Sequence, residues 1–168
     1  MIKYFFLLII SLFTAFILLI NFQLYSENET ITEKRADIIN QLNFLESELK
    51  NENLGNRMQE IFPEGFVFIH VLYGLSWCEL ALSDSIKDPV FQKKALSEAL
   101  FAFNKINSDH ARSTFDQSIS PEYGIFYCGW KNYLLSKILM CDTTFPEHSS
   151  YIETYRTQCM NISNAIIV

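Results

Sequence analysis

The sequence offers a few groups of residues whose types and spacing suit chemistry. Glu64 and Glu122 each follow a proline, in Pro63-Glu64 and Pro121-Glu122, and each precedes an aromatic-rich run. Two carboxylates facing one cavity mouth would act as acid and base on a glycosidic or similar bond. The same dipeptide also simply opens helices, because a carboxylate in the first turn faces the positive end of the aligned peptide dipoles. Pro146-Glu147 repeats the pattern. His70 is followed at three and seven residues by Tyr73 and Trp77, which a helix places on nearly one face. An imidazole beside an aromatic wall can stack a sugar ring or relay a proton; in a packed core it takes one backbone or hydroxyl partner instead.

A polar connection, Asn107 to Gln117, concentrates Asp109, His110, Arg112 and Asp116, a loop suited to a polar ligand. Ser113, His110 and Asp116 carry the side chains of a nucleophile triad, but no elbow motif accompanies them. Asp109, His110 and Asp116 lack a specific metal spacing. Tyr123, Tyr127 and Trp130 make a second candidate cavity wall. The catalytic candidates are therefore Glu64, His70, Asp109 and Glu122. The ligand-binding candidates are Tyr73, Trp77, His110, Arg112, Asp116, Tyr123, Tyr127 and Trp130. Neither a cofactor nor a metal is expected. Glu79, on an otherwise apolar stretch, must reach solvent or pair with a base.

The elements that position these residues begin with a leading segment that bears no charge from Tyr4 to Ser26 and has only Ser11 and Thr14 as polar interruptions of its centre. About 20 apolar residues span a bilayer as a helix, the only open-ended form that pairs every backbone amide there. A cleaved secretory peptide needs small residues at its cleavage site, whereas Ile20 to Tyr25 offers bulky ones. Residues 4–25 thus read as a single-pass signal-anchor helix, with secretion after cleavage as the alternative. Lys3 before the span and Glu27 and Glu29 after it leave residues 1–3 in the cytoplasm and the rest outside. Residues 26–31 form a polar stem and 32–168 an extracytoplasmic helical domain, read either as the first part of a longer chain or as one whose last helix docks so as to hide its apolar end.

The full chain has 168 residues, 49% of them hydrophobic, only five Gly, and a net charge of −6, so it is neither collagenous nor wholly disordered. Its acidity argues against nucleic acid as a partner. The expected partners are the lipid bilayer, through residues 4–25, and a protein, a second copy or a glycan. Cys78, Cys128, Cys141 and Cys159 could form up to two bridges outside the cytoplasm, with Cys141 and Cys159 the least strained pair. Asn28-Glu-Thr30 and Asn161-Ile-Ser163 match a glycosylation sequon, of meaning in a eukaryotic source.

The periodicity predicts an all-α fold. Ile31, Ile38, Leu42, Leu45 and Leu49 mark an amphipathic outer helix, broken at Asn51 to Asn56. A second helix starts near Pro63 and is apolar all round from Phe66 to Leu82, so it must be covered. Phe91, Leu96, Leu100, Phe103 and Ile106 mark a third, outer helix. The fourth, aromatic after Pro121, is buried. Ile152, Tyr155, Cys159, Ile162 and Ile166 stripe the fifth. Gly74 and Gly129 inside helices are expected to permit close helix approach.

Outer and buried helices alternate, as in helical hairpins stacked side by side. Pro63 to Phe68 and Pro121 to Phe126 match with one insertion, at an offset of 58 residues, and each opens a buried helix containing Gly and Trp. On Phe62-Pro-Glu-Gly-Phe-Val-Phe68, Tyr73-Gly-Leu-Ser-Trp77 and Ser120-Pro-Glu-Tyr-Gly-Ile-Phe-Tyr-Cys-Gly-Trp130, the chain resembles the α/α-toroid architecture of terpenoid-cyclase-like proteins and many glycan-processing enzymes. That resemblance implies inner and outer helices around a central cavity, over roughly 32–168. A complete toroid has six hairpins, so these five helices would be part of one. Two functions follow as expectations: a membrane-anchored module binding a partner protein or cell-envelope polymer, or the N-terminal part of an anchored α/α enzyme acting on glycans or another small substrate. An ectodomain that only oligomerises through the Ile152 to Ile166 stripe is a further one.

Overall fold

The computed structural model describes residues 2–25, 30–83 and 88–166. Met1 of the expected cytoplasmic tip, residues 26–29 of the expected stem with the Asn28 sequon, residues 84–87, and 167–168 lie outside the described residues. Among the described residues 83% are helical and none is in a strand. The helices are α1 (Ile2–Tyr25), α2 (Ile31–Asn51), α3 (Leu54–Ile61), α4 (Gly65–Ser83), α5 (Pro89–Ile106), α6 (Asp109–Arg112), α7 (Gly124–Cys141) and α8 (His148–Ile166). Periodicity expects a leading helix and five more; α3 and α6 are additional, α3 starting in the stretch read as a break and α6 lying inside the connection from Asn107. Both are too short for a hydrophobic period to register.

The chain divides into two compact units, residues 1–39 and 40–168. In the first, Lys3–Leu24 is long and apolar enough to cross a membrane, and its side chains are exposed throughout. Two of its polar side chains bond within the helix: Thr14 Oγ1 donates to the Ile10 carbonyl and Asn21 Nδ2 to that of Ile17, each at 2.9 Å. α2 opens on a capping box, in which Glu33 N donates to Thr30 Oγ1 at 3.3 Å and Thr30 N to Glu33 Oε2 at 2.8 Å. These bonds hold the Glu33 carboxyl below its usual range. The helix therefore begins at Ile31, within the expected stem.

In the second unit α4 is the central element, packed against α3, α5 and α7. Val67, Val71, Tyr73, Trp77, Cys78 and Ala81 are buried on it, which explains why its sequence has no polar face. Gly65–Ser83 is apolar enough to cross a membrane too, but most of it is buried within the protein, as a core helix should be. Glu64, just ahead of α4, accepts the Phe68 amide at 2.9 Å, so Pro63 lies in the preceding turn rather than in the first helical one. Asp88 caps α5 by accepting from Val90 N at 2.9 Å, with Pro89 in the first turn, where no donor is required.

Side-chain contacts fix the helix directions. Tyr73 meets Glu98, His70 meets Phe101, and Gln92 bonds the Ala81 carbonyl, so α4 and α5 run antiparallel. Phe68 meets Trp130 and Glu79 pairs with Lys137, so α4 and α7 run parallel. Glu79 is itself exposed and pairs with Lys137, so it both reaches solvent and meets a base. A Cβ on Gly74 would come within 2.9 Å of Leu134 and 3.0 Å of Ala102, so this glycine does permit close approach of α7 and α5. Gly129 does not: a Cβ there would meet nothing within 4 Å. α8 buries no residue fully, and Ile166 is exposed, so its stripe is a half-covered face rather than a core face.

A charge relay joins the end of α2 to α5. Glu98, 6% exposed, accepts from Lys50 Nζ and from the Tyr73 hydroxyl, each at 2.8 Å. A buried carboxylate is tolerable only with such partners, since losing one leaves an uncompensated charge. Burial alone would lower the Lys50 pKa, but hydrogen bonds to Glu98 and Glu46 raise it. Lys94 adds a pair to Glu46 at 3.3 Å.

Candidate functional site

Where α6, the start of α7 and the later part of α8 meet, they leave a cleft of about 160 Å³ lined by Arg112, Glu122, Tyr123, Tyr127, Cys128, Lys131, Gln158 and Asn161, among others. Ser108 caps α6 by accepting from Ala111 N at 3.2 Å, and Arg112 closes that helix. One guanidinium nitrogen is held by Asp109 at 2.6 Å, a bond that raises the Arg112 pKa. The group lies 5.7 Å from the Tyr123 ring, while its Nε is buried with no hydrogen-bond partner.

α7 starts abruptly. Tyr123 has φ 67° and Gly124 φ 84°, the left-handed region, where a side chain such as tyrosine costs about 1–2 kcal/mol. That turn sets Tyr123 edge-on to Tyr127, 5.7 Å between centroids. The Tyr127 hydroxyl donates to the Ile106 carbonyl at 2.8 Å, and burial pushes its pKa up to about 12. One turn on, Lys131 Nζ lies 5.6 Å from the Tyr127 ring and pairs with no carboxylate among the described residues. Burial lowers the Lys131 pKa, opposed by Cys128 and Glu122 and reinforced by Arg112. From α8, Gln158 presents a buried, unpartnered Oε1. Two cations, a tyrosine pair and unspent polar atoms thus converge on one small opening. The two cations can pair with an anionic group, while the Glu122 carboxylate and Gln158 Oε1 on the same lining accept hydrogen bonds.

Of the residues singled out by sequence, Arg112, Glu122, Tyr123 and Tyr127 line this cleft. The Glu122 carboxylate accepts from Gln117 at 2.6 Å. Glu64 is not among the lining residues, so the cleft does not assemble the paired carboxylates. His70 is 2% exposed, with Nδ1 2.7 Å from the Phe66 carbonyl, the core arrangement with one backbone partner. Tyr73 and Trp77 are 1% and 0% exposed and wall no cavity; the aromatic face that includes His70 is turned into the core. Asp109 is spent on Arg112, and His110 is exposed with its ring edge-on to Phe66 at 4.8 Å. Asp116 closes a local turn onto Ser118 N at 2.8 Å, and Ser113 donates to the His110 carbonyl at 2.7 Å, so no triad forms. Trp130 lines a separate shallow groove of about 300 Å³ with Ile125, Phe126, Gly129 and Tyr133.

Sequence reasoning missed Lys131, Cys128, Gln158 and Asn161. Lys131 sits four residues after Tyr127, one helical turn, a legible spacing; the α8 residues become relevant only when that helix packs against α7. Among the described residues no three His, Cys, Asp or Glu side chains are grouped to hold a metal ion. The four cysteines are free thiols, and the Cys141–Cys159 bridge, the least strained of the possible pairings, is not formed. Cys159 Sγ instead lies 3.0 Å from Asn132 Nδ2. Comparison with protein-family models, with curated proteins and with solved structures gives no match.

Proposed function

We propose that this chain is a single-pass, membrane-anchored binding module that holds an acidic sugar unit of a cell-envelope polymer in the cleft between α6, α7 and α8. The observation that carries this reading is the pairing of Arg112 and Lys131, each set against a tyrosine ring, at one cleft of an otherwise acidic protein. A carboxylate would take the two cations; Tyr123 would line the ring, with Tyr127, 1% exposed, packed behind it. At about 160 Å³ the cleft suits one such unit rather than a drug-sized ligand. The apolar Lys3–Leu24 helix supports anchorage, and Lys3 ahead of it supports a cytoplasmic amino terminus with the helical unit outside. The antiparallel α4 and α5, with α7 parallel to α4, are consistent with helical hairpins side by side, an arrangement that extends naturally into an α/α toroid.

The test uses the full chain in detergent, titrated calorimetrically with a glucuronate-containing oligosaccharide and with its neutral glucose counterpart. The acidic ligand is expected to bind, and the double variant Arg112→Gln, Lys131→Gln to weaken it at least about tenfold, near 1.4 kcal/mol. Equal binding of the neutral ligand, or an unchanged affinity in the double variant, would refute the reading.

A further inference from the structure

At the far end of the paired helices α4 and α7, two thiols meet. Cys78 lies in the last two turns of α4 and Cys141 is the last residue of α7, 63 positions later. Cys141 Sγ approaches the Cys78 carbonyl oxygen to 3.8 Å, which sets its sulfur against the Cys78 residue. Parallel packing produces this: with Phe68 against Trp130 and Glu79 against Lys137, the two helices reach the same level near their ends.

The two sulfurs differ in access. Cys78 is 0% exposed. Cys141 is half-buried and lines a groove of about 580 Å³ between the end of α4, the start of α5 and the end of α7, with Ala81, Gln92, Met140 and Phe145 on its walls. One thiol therefore faces an opening large enough for a small disulfide, and the other waits behind it.

We propose that Cys78 and Cys141 are a dithiol that closes reversibly into a disulfide by exchange with an external disulfide, entering through this groove, with Cys141 reacting first. The Cys141 thiolate attacks one sulfur of the external disulfide RSSR, forming Cys141–S–S–R and releasing RS⁻. The Cys78 thiolate then attacks the Cys141 sulfur, forming the Cys78–Cys141 bond and expelling the second RS⁻. The two thiol protons end on the two released groups as 2 RSH; the dithiol loses two electrons and the external disulfide gains them. The charge setting agrees with this order: the hydrogen bond from Cys78 lowers the Cys141 pKa, against burial and the nearby Glu79 and Asp142, with Lys137 assisting. The Cys78 pKa is raised by its contact with Cys141 and by burial. Cys128, by contrast, lies in the other cleft with its sulfur against the Glu122 carbonyl at 3.2 Å and no second thiol beside it. The proposal is independent of the sugar site.

The test treats the reduced full chain in detergent with oxidised glutathione, alkylates the remaining thiols under native conditions and after unfolding, and maps the peptides by mass. The expected product is a peptide pair joined through Cys78 and Cys141, two hydrogens lighter than the reduced pair, with Cys128 and Cys159 alkylated. In Cys78→Ala, glutathione is expected to stay on Cys141 as a lasting mixed disulfide at several times its wild-type level. A Cys78–Cys141 pair that stays alkylatable on unfolding, or glutathione placed first on Cys128 or Cys159, would overturn the proposal. The wild-type mapping decides the pairing even if the alanine variant does not fold.

Discussion

His70 is charged in an unfolded chain at pH 5 and neutral in this core. Burial lowers its pKa from 6.5 to about 4, the charge of Lys105 adds to that, and the hydrogen bond to the Phe66 carbonyl opposes it. Because a carbonyl only accepts, Nδ1 carries the proton, and a second proton on the ring would be buried without solvation. Between pH 6.5 and 4 the unfolded chain binds a proton that the folded one does not, so stability falls as pH falls through that window. The contribution lost by pH 5 is about 2 kcal/mol. Urea unfolding of the full chain in detergent at pH 8 and pH 5 should show a drop that is smaller by about this amount in His70→Phe; an equal drop in both proteins would refute the account. The residue type and its apolar neighbours made His70 visible as a candidate, but whether those neighbours left a cavity or filled it depended on α5, which brings Phe101 to 6.2 Å.

At the scale of helices, two glycines that look alike in sequence should respond to substitution with opposite signs. Gly74 and Gly129 both sit inside helices that read as buried, after similar openings, but α7 leaves Ile125, Phe126, Tyr133 and Met140 exposed. A methyl at Gly74 meets Leu134 and the rigid Cβ of Ala102, so Gly74→Ala should destabilise by about 1–2 kcal/mol, overpacking outweighing the gain in helix propensity. A methyl at Gly129 meets open space, so Gly129→Ala should stabilise by roughly 0.5–1 kcal/mol. Thermal unfolding of the two variants checks both, and a common sign would refute the contrast. Helix existence and type were legible for α1, α2, α4, α5, α7 and α8 because each carries several turns of pattern. α3 and α6 were not, being 8 and 4 residues long. The capping box at Thr30 and Glu33 was legible but passed over, since Thr30 fell inside the stretch taken for a stem while Glu33 fell in the helix after it.

For the molecule as a whole, the amino-terminal helix and the second unit place their apolar side chains differently, which supports the proposed anchor. From Lys3 to Leu24 apolar side chains point outward all round, whereas from Asn40 onward they are gathered around α4. The chain should therefore sediment with membranes and resist alkaline carbonate. Phe13→Arg with Ile17→Arg should release it, each arginine costing about 2.5–3.5 kcal/mol at the bilayer centre. Carbonate release of the unaltered chain would refute the anchor. Helical class and the apolar span were readable along the chain, because periodicity and run length are properties of neighbours in sequence. Which side chains share a cleft, and which thiol faces which, was settled only by packing. Arg112, Lys131 and Gln158 meet, as do Cys78 and Cys141, because α7 lies parallel to α4 and against α8. That arrangement arises from burial of apolar surface, a force without direction or sequence register, so no local spacing encodes it.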